Sequence, residues 1–249
     1  MTEYEPRVYR EEMEKGRFRS FVVEHYESDL WIGVDPASYN ESMIAFVQER
    51  VKEIRETLEV YISKNSGFRY SLEPVGLRAS APLVAVRMAR ASLRAAVGPM
   101  AAVAGAFAQE IGNAVINEFH PRELIIENGG DCFISIAEPA TVAIHAGKSP
   151  LSGMIGLRIP PEASPLGVCT SSGTVGPSLS FGCADAVMIA SRDAALADAY
   201  ASCYGNRIRN EKDVNKVIQD MNRNPKILSG VIILNEHMGV CGNFEIQKL

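Results

Sequence analysis

Asp198 and Ser202 stand one helical turn apart in Ala-Ala-Leu-Ala-Asp-Ala-Tyr-Ala-Ser, where nearly every neighbour is small. On a helix this spacing puts carboxylate and hydroxyl on one face. Together they offer hard oxygen donors to a magnesium-like or calcium-like ion, and the alanines leave room for backbone or ligand oxygens to complete its shell. The same spacing fits a solvated helix face with a local hydrogen bond, and the residues alone leave both readings open.

Two loops have the composition to approach an anion. In Leu-Ile-Ile-Glu-Asn-Gly-Gly-Asp-Cys-Phe-Ile, Gly129 and Gly130 follow an apolar strand directly, where positive φ brings backbone amides close to a ligand. Asn128 and Asp131 add polar groups there, although a hairpin turn accounts for the pair equally well. Thr170-Ser171-Ser172-Gly173-Thr174 concentrates hydroxyls around a glycine, which suits either a self-hydrated loop or phosphate oxygens. Arg87, Arg90 and Arg94 share one face of a predicted helix and read as a steering surface for an anionic substrate or as a solvated basic stripe. His25, His120, His145 and His237 lack zinc-ligand spacing, so no zinc site is expected.

These groups need elements to position them. Residues 17–34 contain two β-branched and aromatic runs around Glu27-Ser28-Asp29, which predicts a hairpin. Ile44, Val47, Val51, Ile54, Leu58 and Tyr61 recur in steps of three and four and predict an amphipathic helix. Ser38 and Glu41 match a capping box before it. Helices are expected over Pro82–Val97 and Met100–Asn117, broken at Gly98-Pro99, with a strand-rich centre after Pro121. Strand 186–190, helices over Ser191–Tyr204 and Asn210–Met221, and two closing strands complete the pattern. Consecutive helices followed by clustered strands predict an α+β fold with a mixed or antiparallel sheet, as one compact unit of two lobes over residues 1–249.

The chain has 249 residues and 47% hydrophobic content, enough for a continuous core. Cys132, Cys169, Cys183, Cys203 and Cys241 form no C-x-x-C pair and read as reduced thiols of a cytoplasmic protein. The charged N-terminal segment has no apolar leader run, and the apolar stretch at residues 95–108 falls short of a membrane span. A net charge of −5 gives no general attraction to nucleic acid, and no local basic patch dominates.

Taken in order, several of these segments resemble the ApbE-like FAD:protein FMN transferases. Val103-Ala104-Gly105-Ala106-Phe107-Ala108-Gln109-Glu110 stands where that family has Ile-Ala-Lys-Gly-Tyr-Ala-Val-Asp. Gly129-Gly130, Ser171-Ser172-Gly173 and Ala197-Asp198-Ala199-Tyr200-Ala201-Ser202 follow in the places of its Gly-Gly turn, Thr-Ser-Gly loop and Ala-Asp-Ala-x-x-Thr helix. The similarity covers about residues 98–205, and Gly-Pro-Met-Ala-Ala-Val-Ala-Gly-Ala-Phe-Ala-Gln-Glu-Ile-Gly resembles a small uncharacterised branch associated with methanogenic archaea.

The resemblance implies a fold of that type, a Mg²⁺ ion held by the Ala104 carbonyl, Asp198 and Ser202, and a flavin or other nucleotide at Gly129, Gly130, Ser171, Ser172 and Gly173. A small anionic ligand and a protein acceptor are the implied partners. Gly105, Phe107 and Glu110 replace the family's lysine, tyrosine and aspartate, and no His-x-x-Asp-Pro-x-x-Gly segment separates the two Gly-containing loops. The implied activity is therefore a Mg²⁺-assisted transferase outside ordinary FMN transfer. Two alternatives stand beside it: an accessory in sulfur assimilation and homocysteine formation using Cys169 or Cys203, and a noncatalytic homo-oligomer associating through its Ala-rich helices.

Overall fold

The computed structural model describes residues 16–174 and 180–249. Strand β1 (Arg19–His25) turns at Tyr26-Glu27 into β2 (Ser28–Val34), so the expected hairpin forms with its turn starting one residue before the polar triplet, whose Ser28 and Asp29 belong to β2. Helix α1 (Ser42–Ser63) buries Met43, Val47, Val51, Ile54, Leu58 and Tyr61 along one face. The capping box does not form: Glu41 makes no side-chain cap, and the Ser38 hydroxyl accepts the Arg122 amide. Asn40 performs the local task by accepting the Ser42 amide at 2.9 Å.

A short helix α2 (Ser66–Tyr70) precedes α3 (Leu83–Ala95). The helical path ends at Ala96, which takes a left-handed φ of 55°, and Gly98 lets the chain pass the α2 end, since a Cβ there would meet the Ser71 carbonyl oxygen at 1.9 Å. A 3-10 turn at Pro99–Ala102 leads into α4 (Val103–Phe119). Strands β3 (Leu124–Asn128), β4 (Asp131–Ser135), β5 (Ala140–Ala143), β6 (Ile155–Ile159), β7 (Leu166–Ser171) and β8 (Ala186–Ser191) follow. Helices α5 (Ala194–Gly205) and α6 (Glu211–Asn222) precede β9 (Ser229–Leu234), β10 (His237–Gly242) and β11 (Glu245–Lys248).

Eight strands form one antiparallel sheet in the order β1-β2-β3-β4-β7-β8-β9-β10, and β11-β6-β5 form a second antiparallel sheet. Alternation along each strand divides the interior between two faces. Leu30, Ile32, Leu124, Ile126, Phe133, Cys169, Val187, Ile189 and Ile232 pack with the helices. Trp31, Ile125, Ile134, Val168, Met188 and Val231 instead pack with Leu157 and Ile159 of the small sheet. The architecture is thus helices, large sheet and small sheet in three layers, an α+β arrangement.

The sequence reading missed β7 because Leu-Gly-Val-Cys-Thr-Ser carries a glycine and polar residues among its apolar ones. Gly167 is required there: its Cβ would stand 2.2 Å from Ala194 Cα, so a bare backbone lets α5 settle on the sheet. Helix α5 begins at Ala194, after Asp193, whose side chain accepts the Leu196 amide. Among the described residues no single helix is long and apolar enough to cross a membrane. The segments Leu83–Ala95 and Pro99–Phe119 reach that length only together, with a bend of 104° between them.

Candidate functional site

Helix α4 begins without a side-chain cap of its own, leaving orphan amides at its first turn. Asp198 of α5 supplies the missing acceptor: its Oδ2 takes the Gly105 amide at 2.9 Å, and the Ala104 amide also points to it. The negative carboxylate complements the positive end of the helix. Gly105 makes this approach possible, because a Cβ there would lie 2.3 Å from the Ala194 carbonyl oxygen and 2.9 Å from Asp198 Cβ. Alanine normally improves a helix over glycine by about 1 kcal/mol. Here the contact reverses the sign, and Gly105→Ala is expected to destabilise the protein by about 1–3 kcal/mol, read as a lower urea midpoint. Unchanged or higher stability would show that α4 and α5 can separate without cost.

The large sheet brings a second carboxylate to the same place. Asn128 ends β3 and Asp131 begins β4, paired across the Gly129-Gly130 turn, where φ values of 68° and 96° need glycine. Asn128 Nδ2 donates to the Ala104 carbonyl at 3.2 Å. Asp131 is buried, and its Oδ1 accepts the Thr170 amide at 3.1 Å. Cys169 lies beside it, fully buried, with its thiol 3.3 Å from the Ala194 carbonyl.

No Lys, Arg or His side chain pairs with Asp131 or Asp198 among the described residues. Burial, reinforced by the charge of Asp198, pushes Asp131 well above the usual carboxylate range. Burial also raises half-buried Asp198 to about 7, against the opposing effect of the Gly105 and Ala104 amides. Two carboxylates with no countercharge are a site that favours a proton or a cation.

The structure therefore brings Asp198, the Ala104 peptide, Asn128, Asp131 and the Gly129-Gly130 turn together. Half-buried Ser202 lies one turn further along α5, and Ser171 at the end of β7 faces Gly205 at the end of that helix. Other groups offered to a ligand by the sequence are already engaged. The Gly130 amide donates to Glu127 Oε1 at 2.6 Å, and the Gly173 amide donates to the Ala184 carbonyl at 2.8 Å. Ser172 Oγ accepts the Thr174 amide at 3.0 Å. Ser171 lies within a strand rather than a loop, because β8 pairs with it through Val187.

Further expectations are corrected by burial and pairing. Arg87 binds Glu110 at 2.6 Å and approaches Asp193 at 3.7 Å, so it joins α3 to α4 and α5 and does not face an incoming anion. Cys169 cannot present an accessible thiol, since burial and the neighbouring carboxylates hold its pKa well above the ordinary value. Burial also raises half-buried Cys203. The Ala-rich helices are interior: Ala106, Ala108, Ala197, Ala199 and Ala201 are inaccessible and provide no self-association surface. Among the described residues no three His, Cys, Asp or Glu side chains form a metal-ligating cluster, so a cation here requires backbone or hydroxyl oxygens as well.

The link between Asp131 and Asp198 was missed from sequence, although Asp131 lies two residues before apolar Phe133 and so shares its helix-facing side.

Comparison with known proteins identifies relatives of the chain. The family model described as "AbpE bacteria" matches residues 10–224. A protein described as "UPF0280 protein" from Methanocella arvoryzae is 40% identical over 197 residues, covering 78% of each chain. Another so described, from Methanosarcina acetivorans, is 35% identical over 228 residues, covering 90% of this chain and 88% of its own. Among solved structures, the flavin transferase ApbE from Vibrio cholerae aligns with a TM-score of 0.59 at 9% identity, covering 89% of this chain and 96% of its own. The ApbE protein from Thermotoga maritima aligns with a TM-score of 0.58 at 12% identity, covering 90% and 97%. At these identities the structural matches establish the fold.

Proposed function

The chain belongs to the family described as AbpE bacteria, and on that premise we propose that it binds a flavin or another nucleotide diphosphate beside a divalent cation and catalyses a phosphoryl-type transfer distinct from ordinary FMN transfer. The observation that carries this reading is the pairing of buried Asp131 with half-buried Asp198, which have no cationic partner among the described residues and sit at the start of α4. Hard oxygen donors of this kind suit Mg²⁺. Asp198, Asp131, the Ala104 carbonyl and the Ser202 hydroxyl would hold the ion. Once bound, it would neutralise phosphate charge and polarise a phosphoryl oxygen.

The protein's own groups set the stage for that chemistry. Asn128 fixes the Ala104 carbonyl through its amide, while the Gly105 and Ala104 amides orient Asp198. With a pKa of about 7, Asp198 can change protonation near neutrality. Ser171 adds a hydroxyl at the same end of the sheet. Departure from ordinary FMN transfer is supported at position 105, where the α4–α5 contact has no room for a lysine side chain.

The test is calorimetric titration of FAD and of ADP into the protein with Mg²⁺ and with EDTA, paired with incubation beside an acceptor protein. Binding that requires Mg²⁺, with no covalent FMN on the acceptor, is the expected result. Equal affinity with EDTA would remove the cation from the reading, and a covalent flavin adduct would restore the ordinary transferase assignment.

A further inference from the structure

The large sheet ends differently on its two sides. Among the described residues β1 and β10 are its outermost strands. An edge strand presents a row of unpaired amides and carbonyls, which charges, prolines or bulges normally blunt. Strand β1 carries Arg19 and Glu24 near its ends. Strand β10 reads His-Met-Gly-Val-Cys-Gly, pairs with β9 in unbroken register, and has neither proline nor any charge-bearing side chain beyond His237.

The groups that β10 presents follow from β9. The Ile233 carbonyl accepts the Asp185 amide just before β8, and the Leu228 carbonyl accepts the Asn243 amide just after β10. Alternation then turns Gly230, Ile232 and Leu234 toward β10, where Cys241, Gly239 and His237 meet them. Met238 and Val240 therefore point their amides and carbonyls away from the sheet. Their side chains lie on the face of their partners Ile233 and Val231, which pack toward the small sheet, yet they stay 44% and 37% exposed.

Helix α6 covers the other face. A Cβ on Gly239 would stand 2.6 Å from Ile218 Cγ1, and one on Gly230 of β9 would stand 2.4 Å from Met221 Cε. The helix axis thus runs above the gap between β9 and β10, with Ile218 on the flank toward the open edge. At about 100° per residue that flank continues through Asn215, Gln219 and Asn222, all exposed and uncharged. Glu211, at its start, lies 3.3 Å from His237 Nδ1. The opposite flank carries Asp213, Lys216 and Asp220, as a solvent-facing flank ordinarily does.

We infer that the chain pairs with a second copy of itself through β10, antiparallel about a two-fold axis at Gly239. In that register Met238 stands opposite Val240 of the second copy, and the two exchange amide and carbonyl hydrogen bonds. Their side chains form an apolar cross-strand pair on one face. On the other face glycine meets glycine, which leaves room beneath the helices. Each α6 axis lies half a strand spacing inside its own β10, so the two helices come to roughly 10 Å apart, the distance of packed helices. Their uncharged flanks meet there. A strand from a different protein would cover the edge but leave that flank in water, whereas a second copy covers both. The interface is independent of the Asp131–Asp198 centre and of the function proposed for it.

Sedimentation equilibrium of the full chain tests the pairing, and the wild type is expected at twice the mass of one chain. Val240→Pro removes an outward amide that β9 does not use, at an edge position where proline is tolerated. It is expected to sediment as a monomer with the wild-type circular-dichroism spectrum. Met238→Lys/Val240→Lys reaches the same end by charge and serves if proline disturbs the strand. Asn215→Lys/Asn222→Lys sets like charges across the two helices and should weaken the dimer at least about tenfold. Leu93→Lys, at an exposed leucine of α3, should leave the dimer intact. A wild type that stays monomeric at about 100 μM overturns the inference. So does a dimer that survives both folded edge variants, or one that Leu93→Lys abolishes as fully as they do.

Discussion

Replacing Asp198 with asparagine is expected to weaken Mg²⁺ or Mn²⁺ binding by about 100-fold or more, while leaving the metal-free protein at least as stable as the wild type at pH 8. Altering groups that merely support a metal ligand commonly costs 10–100-fold in affinity, so the effect of losing a ligand starts near the upper end of that range. Stability moves differently because Asp198 has two roles in the metal-free protein. Its oxygen caps the first turn of α4 through the Gly105 amide, and asparagine retains such an acceptor. Its negative charge opposes Asp131, and asparagine removes that repulsion. Asp198→Ala loses charge and cap together and is expected to be less stable than Asp198→Asn by about 0.5–2 kcal/mol. Cation titration by calorimetry and urea unfolding at pH 8 measure the two roles separately. Wild-type cation affinity in Asp198→Asn would eliminate the carboxylate as a ligand, whatever the stability result.

The long periodic elements were legible because burial imposes a period on sequence. The α1 stripe is continuous through more than four turns, and β3 and β9 each contain an unbroken apolar run, Leu124 to Ile126 and Val231 to Leu234. Boundaries depended on individual side chains and were less visible. Ser38 satisfies the cap spacing, yet the chain from Asp35 turns it toward Arg122, and no local pattern reports a partner so distant in sequence.

The site divides in the same way. Asp198 with Ser202, and Gly129-Gly130, are local signals and could be named from spacing. Coupling between Asp131 and Asp198 arises only when β4 and α5 pack together beside α4, bringing residues 67 positions apart in the chain within electrostatic reach. Arg87 illustrates the converse: at helical spacing it reads with Arg90 and Arg94 as a steering surface or a solvated stripe, and only the structure shows Glu110 and Asp193 holding Arg87 itself.

Stability of the metal-free protein is expected to fall as pH rises from about 4 to 8, and added Mg²⁺ is expected to cancel much of that fall. Asp198 has an ordinary value of 3.8 and is raised in the folded protein to about 7, so across that interval the native state binds more protons than the unfolded chain. Stability from such a group is fully present below the unfolded value and is lost as pH rises through the folded one. Asp131 is shifted in the same direction and adds to the slope. One group contributes at most about 1.4 kcal/mol per pH unit, and water reaching half-buried Asp198 lowers the figure. Glu123 and Asp35 act oppositely: the Arg17 hydrogen bond lowers Glu123 against burial, and at Asp35 burial, the largest single effect, is outweighed only by the hydrogen bonds of Ser38, Glu123 and Arg122 together. Their stabilisation is present above the unfolded values and is lost as pH falls through the depressed ones, which places the stability maximum at mildly acid pH. A divalent cation competes with the proton for the same carboxylates, so its affinity should rise with pH up to about 7 and its stabilisation should be largest at pH 8. Urea unfolding at pH 5, 6, 7 and 8, in EDTA and in Mg²⁺, measures both slopes, and Asp198→Asn should flatten the EDTA curve. A metal-free stability that stays level or climbs over this range in the wild type would mean that the two carboxylates are not held uncompensated, and the case for a cation between them would fall with it.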